Sequence, residues 1–253
     1  MHTDTIIHEF TWQSDAFNVA PVMRSVETLQ SLLDLLPATR DQNWLEVACG
    51  PGLISRGLAP RVGQVTGVDL AQAMLDVGER EARNAGLNNV TFTLGDATSL
   101  PFDGASFDGA VTRFSLHHIP VPGRCVEEMA RVVRPGGWVA IGDHVASDQQ
   151  DAAAWHQEIE RLRDPSHWAC LTLAQLRRAG ERAGLTLWSE RVIPFAMEFE
   201  EWLTRGTGGP AMRGLITRLL IDRLEGSDSF YVTSDMATPI LHLQYWLALW
   251  QRV

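Results

Sequence analysis

Cysteine is scarce in this chain, with three in 253 residues. Cys49, Cys125 and Cys170 lie far apart and form no CxxC pair. A disulfide framework is therefore not expected, and a reducing cytoplasm fits best. No metal site is expected either. Long apolar runs are also missing: charge, Gly or Pro interrupts every stretch before the roughly 18 residues a spanning helix needs. The first ten residues, MHTDTIIHEF, have neither a basic start nor an apolar core, so they do not read as a secretion signal. Positive charge is in deficit, the formal net being −10. Broad binding to a phosphate backbone needs a clustered basic footprint, and nucleic acid is excluded on that ground. Arg177, Arg178 and Arg182 recur at helical spacing, but Glu181 breaks them up and they read as a solvated helix face. Internal repeats and low-complexity tracts are absent.

What remains is an ordinary globular composition, 45% apolar and 21% charged, in a chain long enough for a sizeable core. Val22, Val26, Leu29, Leu33 and Leu36 predict a helix that stops at Pro37. From residue 44 strands and helices alternate. Strands are predicted at WLEVA, QVTGVDL, NVTFTLGD (with Val90, Phe92 and Leu94 on one face), FDGAVTRFSL, WVAIGD, LTLWSERVIPF and ILHLQYWLALW. Pro122 suits the first position of a helix whose apolar face is Val126, Met129, Ala130 and Val133. Thr172 to Gln175 matches a capping box for a helix over 173–183. This alternation predicts an α/β fold with a mostly parallel sheet and helices on both faces.

Three motifs follow one another at the ends of the first three strands. LEVACGPG (45–52) must turn sharply from strand into helix, and Gly50 and Gly52 permit the angles and the close approach of a ligand. The dinucleotide pattern GxGxxG is incomplete because Ser55 stands where its third glycine would be, which weighs against a nicotinamide oxidoreductase. GVDL puts Asp69 at the end of the second strand, where a carboxylate can accept from both hydroxyls of a ribose. GDATSLPF then places Asp96 and Ala97 where an adenine edge would lie.

Taken in order with FDGAVTRFSLHHI and RPGGWVAIGD, these segments resemble the class I S-adenosylmethionine (SAM)-dependent methyltransferases. They look most like the branch holding ubiquinone and menaquinone C-methyltransferases and natural-product methyltransferases. The resemblance covers about residues 44–143. It implies a Rossmann-like seven-stranded sheet with an antiparallel last strand, SAM as cofactor and S-adenosylhomocysteine as product. It also implies methyl transfer to carbon or oxygen of a small, mostly apolar acceptor. Glu46 would organise the methionine end, Ala48, Gly50 and Gly52 the loop beneath the cofactor, and Asp69 the ribose. Leu70 and Met74 would sit beside the adenine, Asp96 and Ala97 at its edge, and Arg113 and Phe114 near the methionine part. Arg113 departs from the small or polar residue often found there. Cys49 reads as a buried structural thiol.

His117, His118 and His144, at the ends of the fourth and fifth strands, are the candidate proton acceptors, and Asp143 could orient His144. Trp12, Phe17, Trp155, Trp168, Phe195, Trp202 and Phe230 would suit the walls of a pocket for a flat apolar acceptor. The expected organisation is one domain over 1–253: a helical N-terminal lid at 1–43, a Rossmann-like core at 44–195, a cap insertion at 198–239 outside the sheet, and a final strand at 240–253. The insertion carries a helix at 210–225 and a hinge at GTGGP. The apolar face of 210–225 and the closing strand offer surfaces for a homodimer. The rival function is a cyclase or isomerase that keeps SAM as a structural group. An arsenic methyltransferase would need cysteines gathered at the site, and only Cys49 is expected there.

Overall fold

The computed structural model describes residues 2–223, 229–233 and 239–253. Parts of the expected insertion, residues 224–228 and 234–238, lie outside the described residues, and with them the end of the 210–225 helix. The seven expected strands all form: β1 (Asn43–Val47), β2 (Gln64–Asp69), β3 (Val90–Leu94), β4 (Phe107–Arg113), β5 (Val133–His144), β6 (Leu185–Glu198) and, at the chain's end, β8 (Ile240–Arg252). They line up as β3-β2-β1-β4-β5-β8-β6. The first five run parallel, and β8 enters antiparallel between β5 and β6. One expectation fails here. The segment 198–239 does contribute to the sheet, through β7 (Phe230–Val232), which pairs with β8. Phe230 is fully buried, so burial of one aromatic anchors an otherwise short strand.

Alternation along the strands divides the core in two. Trp44 joins a cluster with Val65, Val111, Ala140, Tyr245 and Leu247. Leu45 and Val47 join another with Val68, Ala110, Val139, Trp246 and Trp250. The first is covered by α3 (Ser31–Leu35), α4 (Leu53–Leu58) and α10 (Gly208–Ile221) through Leu32, Ile54, Leu58 and Ile216. The second is covered by α6 (Pro122–Val132) and α8 (Leu173–Arg182) through Val126, Met129 and Leu176. Each fully buried Leu, Ile or Met stabilises by about 1.5–3 kcal/mol. Because helices cover both faces, β4 is buried along its whole length and its residues need no polar alternation. β3 is the opposite case. It is an edge strand, Leu94 is 55% exposed, and the expected apolar face stops at Phe92.

The expected single helix over 22–36 is broken. Pro21–Arg24 is a 3-10 turn, Val26–Gln30 a π turn, and only α3 is α-helical. Ser25 is extended and its hydroxyl accepts from Thr28 N–H, restarting the chain after the first turn. Ahead of it lie α1 (His2–Trp12) and α2 (Ser14–Val19), helices that no clear periodicity announced. The capping box at Thr172 forms, with Thr172 Oγ1 and Gln175 Oε1 each accepting from the other's backbone. The GTGGP link, which runs from the end of α9 (Phe199–Arg205) into the first residues of α10, is packed rather than free to swing. A Cβ on Gly206, Gly208 or Gly209 would meet backbone oxygens of Arg163, Leu162 and Leu203, each within 2.3 Å.

Gly109 shows how tightly the first core layer is closed. A Cβ there would come within 2.5–2.6 Å of three atoms of the Trp44 indole, and Trp44 is fully buried. Gly109→Ala is expected to destabilise the fold by about 1–3 kcal/mol. In thermal unfolding, that lowers the Tm by about 2–4 °C per kcal/mol. An unchanged melting curve would show that Trp44 relaxes freely.

Candidate functional site at the strand ends

Two central strands end in strained turns. Ala48, just after β1, has φ 51°, and Phe114, just after β4, also has φ 51°. Such left-handed backbone is costly for residues with a side chain. Gly50 and Gly52 continue the first turn with φ 52° and 69°. The Asp69 carboxylate holds the turn down: Gly50 N–H donates to Oδ2 at 2.8 Å, and Ala71 N–H to Oδ1 at 2.9 Å. Glu46 is turned under the start of α4. It accepts from Ser55 N–H at 2.7 Å, Ser55 Oγ at 2.6 Å and Ile54 N–H at 3.3 Å. Burial pushes its carboxyl up to about 7 despite these donors.

A cavity of about 890 Å³ opens over these turns. Glu46, Ala48, Gly50, Asp69, Leu70, Asp96, Ala97, Arg113, Phe114 and His118 all stand on its wall. A Cβ on Gly50 would have no protein atom nearer than 3.8 Å, an ordinary contact with Phe17, so the left-handed backbone rather than crowding is what favours glycine here. Two expected residues are set back. Met74 is fully buried, with its sulfur 3.9 Å from that same Cβ point. Gly52 makes room for protein: a Cβ there would stand 2.6 Å from the Phe92 ring. Asp96 Oδ1 accepts from Thr98 N–H and Oγ1, each at 2.7 Å, which fixes the loop after β3.

The roof comes from the N-terminus. Thr3, Ile6, Phe10, Phe17 and Met23 line the cavity, and only Phe17 was singled out from sequence. Arg113 ties this segment to β4. It is 8% exposed and donates to Met23 O at 2.8 Å and Thr28 Oγ1 at 3.2 Å. The break in the 22–36 helix presents those acceptors, so Arg113 serves as a strut between sheet and roof. At the far side, Glu9 accepts from Thr207 N–H and Oγ1. Of the other aromatics, Phe195 and Trp202 line an adjoining space of about 60 Å³. Trp155 and Phe230 pack on each other in the core. Trp12 and Trp168 are 55% and 43% exposed. Arg178 and Arg182 are exposed at the cavity mouth, while Arg177 pairs with Glu190.

His117, His118 and His144 come together at the smaller space, which shares Phe10, Phe17, Met23, Phe114 and His118 with the larger one. Asp143 organises them. Its Oδ1 lies 2.7 Å from His117 Nδ1 and accepts from His144 N–H at 2.9 Å. Burial, reinforced by neighbouring imidazoles, holds His117 and His144 well below the ordinary histidine value, so both are neutral near pH 7. His118 Nδ1 lies 3.1 Å from the Ser166 carbonyl. Burial pushes the Cys49 thiol well up, in keeping with a structural role.

Beneath the imidazoles lies a buried ionic group that the sequence reading missed. It is carried by α7 (Gln150–Arg163) and the turn after it. Glu160 accepts from Arg163 at 2.9 Å and from Trp202 Nε1 at 3.3 Å. Asp164 lies 3.6 Å from Arg163. The one legible sign was the spacing of His156, Glu160 and Arg163 on one helical face. Burial is the largest single influence on Glu160 and raises it, but Arg163 and the surrounding imidazoles together outweigh burial and hold the carboxyl well below the usual range. Glu160→Gln leaves a buried guanidinium short of its partner and should cost about 3–5 kcal/mol in urea unfolding at pH 7. A depressed folded pKa contributes stability above the ordinary value of 4.5 and loses it as the pH falls below. The gap between wild type and variant should therefore narrow in acid, and a pH-independent gap would point to packing instead.

Comparison with known proteins agrees with this geometry. A family model described as a methyltransferase domain matches residues 45–141. The uncharacterized methyltransferase YcgJ of Bacillus subtilis is 28% identical over 88% of this chain and 89% of its own length. Its crystal structure superposes with a TM-score of 0.80, covering 88% of this chain and 97% of that one at 25% identity. The uncharacterized protein YafE of Escherichia coli K12 is 32% identical over 59% of this chain and 72% of its own. A demethylmenaquinone methyltransferase of Listeria welshimeri is 33% identical over 52% of this chain and 56% of its length. With the glycine turn, the acidic strand ends and the sheet order all in place, the chain belongs to the class I SAM-dependent methyltransferases.

Proposed function

We propose that the chain methylates an oxygen or carbon of a small, mostly apolar acceptor of aromatic, quinone or natural-product type. The observation that carries this reading is the shared wall between the two spaces. Asp69 and Gly50 border the large cavity, and the small aromatic chamber joins it at Phe114 and His118. When bound, SAM supplies a sulfonium methyl already activated for displacement, which leaves placement as the main task of the protein. Asp69 would accept from the ribose hydroxyls, while Leu70, Asp96 and Ala97 would border the adenine. Ala48 and Gly50 would lie under the cofactor, with Glu46, Arg113 and Phe114 toward its methionine end. Residues 1–43 act as the lid and 198–239 as the cap over the acceptor. A quinone acceptor is supported by the Listeria relative, whose name gives demethylmenaquinone as its substrate.

His118 is the proton acceptor in this reading. A proton on Nδ1 donated to Ser166 O leaves the Nε2 lone pair free to take a proton from a phenol, alcohol or acidic carbon. His118 borders both spaces, whereas His117 and His144 border only the smaller. No helix among the described residues is long and apolar enough to cross a membrane. The closing segment forms β8 inside the sheet and is not free to pair between subunits.

Calorimetric titration should show SAM and S-adenosylhomocysteine binding to wild type at micromolar levels, weakened at least about tenfold in Asp69→Ala, which removes a charge-assisted pair of bonds. Equal binding by the variant would sink this cofactor pose. With an acceptor found by screening phenols and quinones for S-adenosylhomocysteine release, His118→Gln should lower kcat by about 10²–10⁴-fold at unchanged SAM affinity. Full turnover would remove His118 from proton transfer. Acceptor conversion without S-adenosylhomocysteine would instead favour a cyclase or isomerase.

A further inference from the structure

Five of the eight histidines of the chain gather behind the chamber: His117, His118, His144, His156 and His167. Proton transfer to an acceptor needs one of them. We propose that His117, His144, His167 and Cys170 form a binding site for a divalent transition metal, with Zn²⁺ the ion best matched to these donors. One ligand nitrogen from each of the three imidazoles lies within 4.8 Å of the other two. Cys170 Sγ stands 3.0 Å from His144 Nε2. A tetrahedral zinc with bonds of about 2.0–2.1 Å to nitrogen and 2.3 Å to sulfur brings its donors about 3.4–3.6 Å apart. Small rotations of buried rings close the difference.

The surroundings of two of these rings, His117 and His167, match what metal-bound histidines require. Such an imidazole gives its second nitrogen to an oxygen acceptor, which fixes the tautomer and bares the first. Asp143 Oδ1 takes that part for His117 at 2.7 Å, and Gln157 Oε1 for His167 Nε2 at 2.6 Å. His167 is 3% exposed, and its Nδ1 is buried with no hydrogen-bond partner among the described residues. An orphaned buried nitrogen is costly, and a cation is the partner it lacks. The set holds three imidazoles and one sulfur with no oxygen, so it suits Zn²⁺ and disfavours Mg²⁺ or Ca²⁺. Four protein donors make a closed site, whose effect is to clamp the 164–170 turn onto the ends of β4 and β5. The donors come from three separate segments, and only His167 and Cys170 stand at a short spacing in the sequence.

This inference stands apart from the acceptor and from SAM binding, and metal binding alone tests it. The full chain is stripped with a chelator and titrated with Zn²⁺, and separately with Co²⁺ as a spectroscopic probe. The expected result is one tight equivalent, with the visible bands of tetrahedral cobalt and a thiolate-to-cobalt charge-transfer band. His167→Gln should weaken zinc binding about 100-fold while still binding SAM. Cys170→Ser should abolish the charge-transfer band, which decides the matter if His167→Gln fails to fold. No tight equivalent, or binding and spectra untouched by both substitutions, would overturn the proposal.

Discussion

The carboxylate of Asp143 joins the ends of the two strands at the centre of the sheet. It is 2% exposed and sits at the end of β5, yet it reaches the backbone and the ring of His117 after β4, and the backbone of His144 beside it. Burial raises its own pKa, and these donors are what make its position tolerable. Fixing His117 also fixes the next turn, because His117 O accepts from Trp168 and Ala169 N–H. The side of the chamber opposite the glycine turn is thus built outward from one acid.

The glycine turn follows a similar economy. Glu46 is buried and Asp69 half-buried, both at strand ends, and each spends hydrogen bonds on the first turn before any ligand arrives. The strained residues Ala48 and Phe114 flank them. Left-handed backbone at such places persists only when the surroundings over-determine it. Here the parallel ladder does so, holding β1 against β4 from Trp44 to Glu46.

Much of this was legible from the residues. The strands and the capping box at Thr172 follow from local rules that act over a few positions, and the strand-end residues of the cavity wall from the family resemblance. Gly52 and Met74 stand back from the cavity wall because their neighbours, Phe92 and Gly50, meet them only after folding. The lid at 1–43 was expected to be helical, but where its helices over 2–19 begin and end was not legible, because most of their packing partners lie far along the chain. Thr207 is 198 positions from Glu9, and no periodicity records that. The imidazole cluster was read only in part. Local sequence shows His117 and His118 as adjacent, but it does not show that His167 and Cys170 come back to meet them.

The place of β8 carries a consequence for how the molecule comes into being. Its residues, 240–252, lie between β5 and β6 rather than at an edge, so β6 has no strand to join until they have left the ribosome. At about 5–20 residues per second, the helices that roof the cavity wait some 10–40 s for Thr207 to emerge. During that interval Ile6, Phe10 and Phe17 belong to a roof that the Glu9–Thr207 contact has not yet fastened.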